Sequence, residues 1–92
     1  MASPVPTGRR EKRTARVVPV ELSRLDKSLL KERAFTENLS AHGARIVTER
    51  KWQPGTIVLI VSSKEALNSR AQIVYCQPLG VGRFAVGVEL LA

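Results

Sequence analysis

Two segments of the chain carry side chains that suit a phosphate-containing, base-containing ligand. Residues 9–13 read Arg-Arg-Glu-Lys-Arg, and Asn38, Ser40 and Gly43 follow with the spacing N-x-S-x-x-G. Arginine can direct two donors at a phosphate or at the acceptor edge of guanine, and its plane can stack on a base. Asn and Ser add neutral, directional hydrogen bonds, and Gly lets the backbone approach closely. Together the segments predict an anion and guanine site.

This pairing, R-x-x-x-R followed by N-x-S-x-x-G, resembles the PilZ domain, a bacterial receptor module for cyclic di-GMP. The resemblance extends over nearly the whole chain, from about residue 9 to residue 91. It implies that two arginines on the segment entering the first strand wrap the dinucleotide against the protein. Arg9 and Arg13 match that pair, with Arg10 adjacent. Lys12 and Arg16 have the same spacing, so which basic pair is primary stays open.

The resemblance also assigns roles to the second motif. Asn38 and Ser40 are expected to hydrogen-bond the guanine edge or to orient the loop. A turn in which these side chains only cap backbone groups is the structural alternative, and the two roles are compatible. Gly43 is expected to adopt a backbone conformation that is closed to other residues.

Length and charge describe a small domain with a local excess of positive charge. The chain has 92 residues and a formal net charge of +7, and residues 1–16 hold five basic side chains against Glu11. This bias predicts an anionic ligand near an N-terminal arm. Without an apolar run of about 20 residues or a signal sequence, we expect a soluble cytoplasmic protein. Residues 1–8 read as a disordered lead-in, and residues 9–92 as the folded domain.

Apolar alternation and turn signals predict an all-β fold. Short strands with a turn about every ten residues favour an antiparallel barrel, and the family resembled has six strands. Pro19 should place the first strand at an edge or at a bulge. The continuous apolar run at 56–61 suggests burial on both faces, and residues 64–69 read as a polar connection. The predicted strands are 17–22, 29–39, 44–49, 56–61, 71–77 and 83–91.

The remaining side chains of interest favour structural roles. Trp52 is more consistent with plugging a barrel mouth than with stacking on a base. Cys76 is expected to be a small buried hydrophobe. The chain has one histidine, His42, which we expect on the loop surface. With no second histidine or cysteine cluster and no group of catalytic side chains, we expect neither a metal site nor an enzyme.

The sequence therefore predicts a flexible basic arm on a small barrel that binds cyclic di-GMP and passes the signal to a protein partner, with no cofactor. Two alternatives remain: a PilZ adaptor that binds no nucleotide, and a basic barrel that binds single-stranded nucleic acid. The second lacks a row of aromatic side chains. Many members of the family resembled also have a C-terminal helix, and a second copy of the chain, in a homodimer, is one way to cover the barrel end that this helix would cover.

Overall fold

A computed structural model of the protein describes residues 17–25, 30–64 and 66–91. Its strands close into one antiparallel barrel in the order β1-β2-β3-β6-β5-β4, which confirms the predicted six-stranded fold. The predicted N-terminal arm and lead-in lie outside the described residues. The strands are β1 Pro19–Arg24, β2 Lys31–Leu39, β3 Gly43–Thr48, β4 Ile57–Ser62, β5 Leu67–Gly80 and β6 Arg83–Leu90.

The barrel interior is filled mainly by aliphatic side chains from alternate positions of each strand. Strand periodicity places every second side chain on the same face, and in β1 the alternate residues Val20 and Leu22 are buried. Branched aliphatic side chains fit a pleated, half-buried surface. Completely buried members of this core are Leu22, Ile46, Val58, Ile60, Ala71 and Val86.

Pro19 does not put β1 at an edge, contrary to the sequence prediction. It is the first residue of β1 and pairs with Phe35 on β2, whereas the ladder between β1 and β4 starts only at Glu21. Proline lacks a backbone N–H group and is tolerated at the first residue of a strand. At Pro19, β1 is not yet paired with β4, so no N–H donor toward β4 is required there. The chain can therefore place β1 inside a closed barrel without losing a hydrogen bond.

The apolar run at 56–61 is not buried on both faces. In β4, Val58 and Ile60 are completely buried, whereas Leu59 and Val61 on the outer face are only half-buried. No second layer covers the outside of a single closed barrel in the described structure, so a continuous apolar run there still alternates between two environments. The prediction applied a rule for sheets that are covered on both sides.

The hairpin of β5 and β6 is longer than predicted. β5 begins at Leu67, so half of the predicted polar connection at 64–69 is strand. Gly80 pairs with Arg83, and the two residues between them, Val81 and Gly82, have φ values of 46° and 75°. Two positive φ values fit the tight hairpin turn whose twist matches that of the flanking strands. The last two predicted strands, 71–77 and 83–91, therefore form a hairpin with a two-residue turn.

The connection from β3 to β4 places Trp52 in the core. These two strands are not neighbours, so the intervening residues cross one end of the barrel. Trp52 is 3% exposed, and its Nε1 donates a hydrogen bond of 2.9 Å to Glu32 Oε1. The predicted packing role of Trp52 is confirmed. The described residues contain no helix, and so none with the length and hydropathy to span a membrane.

Candidate functional site

The turn between β2 and β3 is organised by Ser40. Its backbone N–H donates to the Gly43 carbonyl at 2.9 Å, and its hydroxyl donates to the same oxygen at 3.2 Å. The hydroxyl oxygen also accepts the backbone N–H groups of His42 and Gly43, each at 3.3 Å. Small hydroxyl side chains favour turns through such local bonds. Ser40 therefore holds the turn closed, as the structural alternative anticipated.

Gly43 is required for a reason that differs from the prediction. Its φ is not among the positive values, so its backbone conformation is open to other residues. A Cβ at this position would instead lie 2.5 Å from the carbonyl oxygen of Val88 on β6. The absence of a side chain lets β3 and β6 approach at the start of their ladder, where Gly43 pairs with Glu89. Close approach of backbone is the second general use of glycine.

A row of four residues crosses the outside of the barrel next to this turn. Asn38 on β2 pairs with Arg45 on β3, Arg45 pairs with Gly87 on β6, and Gly87 pairs with Tyr75 on β5. Residues in register on adjacent strands point to the same face. The antiparallel order thus brings together residues that are far apart in the sequence.

Two β-bulges flank this row. In β2 the register shifts between Thr36 and Asn38, so Glu37 is the additional residue, and in β5 it shifts between Ile73 and Tyr75, so Val74 is. A bulge bends its strand and redirects side chains, and bulges are common beside binding sites. As a result, two successive residues of β2, Glu37 and Asn38, lie beside Arg45. Likewise, two successive residues of β5, Val74 and Tyr75, lie in the same row.

The Arg45 side chain is held between two neighbours. Its Nε donates to Glu37 Oε1 at 2.7 Å, and Nη1 donates to the Tyr75 hydroxyl at 3.1 Å. The guanidinium carbon is 6.0 Å from the centre of the Tyr75 ring. The hydrogen bond to Glu37 and then that to Tyr75 raise the pKa of Arg45 above its ordinary value. Such a half-exposed ion pair contributes only about 0.2–1 kcal/mol, so its main effect is to fix where the charge sits.

These elements enclose a shallow cleft of about 350 Å³. Its lining includes Asn38, Ser40, Gly43, Arg45 and Tyr75. Arg45 is the only charged side chain among the described residues that line the cleft. Among the described residues, none hydrogen-bonds the Asn38 side chain. The cleft therefore offers an amide and a fixed guanidinium to a ligand.

The chain enters the barrel at the same end as this cleft. Thr36 N–H donates to the Val18 carbonyl at 3.0 Å, and Val18 N–H donates to Thr36 Oγ1 at 2.9 Å. β1 and β2 are antiparallel, so β1 begins toward the end of the barrel at which β2 ends. Asn38 lies two residues, or about 7 Å, farther along β2 than Thr36.

The structure brings together three of the predicted site residues, Asn38, Ser40 and Gly43, at one cleft. The other three, Arg9, Arg10 and Arg13, lie outside the described residues. His42 is exposed on the loop, as predicted. Sequence reasoning missed two cleft residues, Arg45 and Tyr75, because their proximity depends on strand order. The one available signal was Gly87, a glycine on the outer face of the last predicted strand, which often marks close approach by another group.

The described residues contain no group of three or more His, Cys, Asp or Glu side chains placed to hold a metal ion. Comparison with curated proteins finds no match to the chain. The family model of the PilZ domain matches residues 7–92, nearly the whole chain. The chain belongs to the PilZ domain family, which is in general a family of cyclic di-GMP-binding receptor modules rather than of enzymes.

Proposed function

We propose that this PilZ domain is a cytoplasmic receptor that binds cyclic di-GMP in the cleft beside the β2–β3 turn and passes the signal to a protein partner. The observation that carries the proposal is the convergence of Asn38, Ser40 and Gly43 on one cleft, at the barrel end where the N-terminal segment enters. Family membership supports the ligand class, and this geometry supports the place.

The N-terminal arginines are within reach of the cleft. Arg13 precedes Val18 by five residues, and an extended chain spans at most about 3.3–3.6 Å per residue, or about 17 Å here. Asn38 is about 7 Å beyond the level of Val18 along β2. Arg9 precedes Val18 by nine residues and has a longer range still. Chain length is therefore compatible with Arg9, Arg10 and Arg13 contacting a ligand in the cleft.

Charge balance supports a role for that segment. The ligand carries two phosphates, whereas the single cation that lines the described cleft, Arg45, is already paired with Glu37. Buried or partly buried anions need compensating charge. Residues 1–16 hold five of the basic side chains of the chain. We infer that these side chains supply the charge and that the barrel supplies the neutral contacts.

Signal output in this proposal is an ordering of the N-terminal segment over the ligand. Ordering a segment on binding costs conformational entropy, and the change in order is a common form of switch. The segment joins the barrel at Val17, which is 72% exposed and lines an outer cleft with Phe35, itself 57% exposed. A protein partner with an apolar contact surface is the proposed reader of this face. A homodimer through the same face is the alternative outcome.

An adaptor that binds no nucleotide is a second candidate, and one observation favours it. Every hydrogen bond between the Ser40 hydroxyl and a described residue is made within the turn, so the motif also has a purely structural explanation. The nucleic-acid alternative receives less support. Of the four aromatic side chains, Trp52 is buried and Phe35 is the one classed as exposed, whereas stacking platforms need several exposed rings.

Thermal unfolding with and without cyclic di-GMP tests the proposal. A ligand at 100 times its Kd stabilises the folded state by about 2.7 kcal/mol, and in a domain of this size each 1 kcal/mol raises Tm by about 4–8 °C. GTP and linear pGpG are the control ligands and should have much smaller effects. An unchanged Tm at saturating cyclic di-GMP would leave the adaptor as the better account.

A further inference from the structure

We propose that Arg45 is a guanine-reading residue of this cleft, held in position by Glu37 and Tyr75. The inference rests on the proposed function, since it names how one base of cyclic di-GMP is recognised. It adds to that function a residue that lies outside both sequence motifs. The proposal rests on one observation: hydrogen bonds to Glu37 and Tyr75 hold the Arg45 guanidinium in place. Among the described residues that line the cleft, Arg45 has the only charged side chain.

The hydrogen-bond pattern leaves most of the Arg45 donors available. A guanidinium has five N–H groups, of which one on Nε faces Glu37 and one on Nη1 faces Tyr75. No described residue accepts a hydrogen bond from Nη2. The remaining donors on Nη1 and Nη2 form the edge that suits two adjacent acceptors. Because the side chain is already oriented, less rotamer entropy is lost when a ligand binds.

Guanine has the matching acceptor pattern. Its Hoogsteen edge presents O6 and N7, which are both acceptors and which an arginine fork can engage together. Adenine presents N7 beside an amino group. The same two arginine donors would therefore face one acceptor and one donor, and the contact between two donors is unfavourable. A phosphate, in contrast, can be paired by any cation, because lysine binds it as a point charge. Replacing arginine by lysine therefore separates recognition of guanine from charge attraction.

Tyr75 and Glu37 are positioning residues in this account. The Tyr75 ring packs directly on Gly87, where a Cβ would overlap the ring. The ring therefore cannot move closer to β6, and its hydroxyl, which accepts the hydrogen bond from Arg45 Nη1, stays in place. Glu37 is the additional residue of the β2 bulge, which brings its carboxylate to Arg45 Nε. Two independent strands thus fix the direction of the fork.

The test is a thermodynamic cycle between Arg45 and the N7 atom of guanine. Isothermal titration compares the wild-type chain and Arg45→Lys, each with cyclic di-GMP and with its 7-deaza analogue, which lacks the N7 acceptor. We expect Arg45→Lys to weaken cyclic di-GMP binding about tenfold, within the range for one bidentate base contact. It should weaken binding of the 7-deaza analogue less than about threefold. Arg83→Lys, an exposed arginine at the opposite end of β6, is the matched control and should change neither value.

Tyr75→Phe gives a second, milder variant that keeps the ring on Gly87. Loss of the hydroxyl frees Nη1, and we expect about threefold weaker binding of cyclic di-GMP with an unchanged melting curve. If Arg45→Lys weakens both ligands equally, or neither, Arg45 does not read guanine, although the proposed function stands. If the wild-type chain binds no cyclic di-GMP, the proposed function and this inference fail together.

Discussion

Tyr75 and Gly87 face each other across β5 and β6, and the Tyr75 ring occupies the volume that a side chain at residue 87 would need. This packing buries Gly87 on the outer face of the barrel. It also fixes the position above the sheet of the Tyr75 hydroxyl, to which Arg45 Nη1 donates a hydrogen bond of 3.1 Å. A glycine and an aromatic ring on neighbouring strands therefore define one wall of the cleft.

Gly87→Ala should destabilise the barrel because the new Cβ and the Tyr75 ring cannot share the same space. Overpacking of this kind typically costs about 1–3 kcal/mol. The ring can be removed, so in a Tyr75→Ala background the same Gly87→Ala change should cost less than about 1 kcal/mol. Urea unfolding of the four chains measures this coupling. Equal costs in the two backgrounds would contradict the proposed packing.

Gly43→Ala should also destabilise the protein, but no side-chain truncation should rescue it. The new Cβ would lie 2.5 Å from the Val88 carbonyl oxygen, which belongs to the backbone. We expect a loss of about 1–3 kcal/mol, and roughly the same loss when Val88→Ala is present, again from urea unfolding. Rescue by Val88→Ala would mean that side chains, rather than the backbones of β3 and β6, are in conflict at this point.

Much of the fold was predictable because apolar residues recur at every second position along several of the strands. Val18, Val20 and Leu22 are all buried in the barrel core, as their period of two predicts. The errors arose where burial depends on what covers the outer face, as in β4, or where a ladder has a gap, as at Pro19. Local sequence carries no information on either.

The site was only half predictable for a related reason. Asn38, Ser40 and Gly43 lie within six residues and form a recognisable spacing. Arg45 and Tyr75 meet only because the barrel order places β6 between β3 and β5 and because β5 has a bulge at Val74, directly before Tyr75. Strand order and bulges are properties of the assembled sheet, so the sequence pattern could not reveal this contact.

Asn38→Ala and Ser40→Ala should have different effects, because of the two side chains only that of Ser40 hydrogen-bonds described residues. The Ser40 hydroxyl takes part in three hydrogen bonds of the turn, so its loss should lower stability by about 1 kcal/mol as well as weaken ligand binding. Asn38 makes no side-chain hydrogen bond to a described residue. Its replacement should weaken cyclic di-GMP binding and leave the unfolding curve nearly unchanged. Denaturant unfolding and calorimetric titration of both variants separate the two roles.

The reverse pattern would indicate a different role for the motif. If Asn38→Ala lowers stability and has no effect on affinity, the motif is a structural turn, and the adaptor becomes the favoured function.

Arg13→Ala should weaken cyclic di-GMP binding by about 2 kcal/mol, because hydrogen bonds to charged groups are each worth about 1.5–3 kcal/mol. Arg16→Ala, the matched control on the same segment, should have a smaller effect. The measurement is calorimetric titration of both variants at one salt concentration. If Arg16→Ala has the larger effect, the primary basic pair is Lys12 and Arg16 rather than Arg9 and Arg13.

The central claim is that the cleft binds cyclic di-GMP specifically, and calorimetric titration at several salt concentrations tests it most directly. Cyclic di-GMP has two phosphates, so its affinity should fall with a shallow salt slope, equivalent to two contacts or fewer. Binding to a single strand of nucleic acid, by comparison, has a slope of about 0.7 for each phosphate contact. We predict saturable binding of cyclic di-GMP with that shallow slope and no comparable binding of a single-stranded oligonucleotide. A steep slope toward the oligonucleotide, with no measurable binding of cyclic di-GMP by the folded protein, would contradict the account.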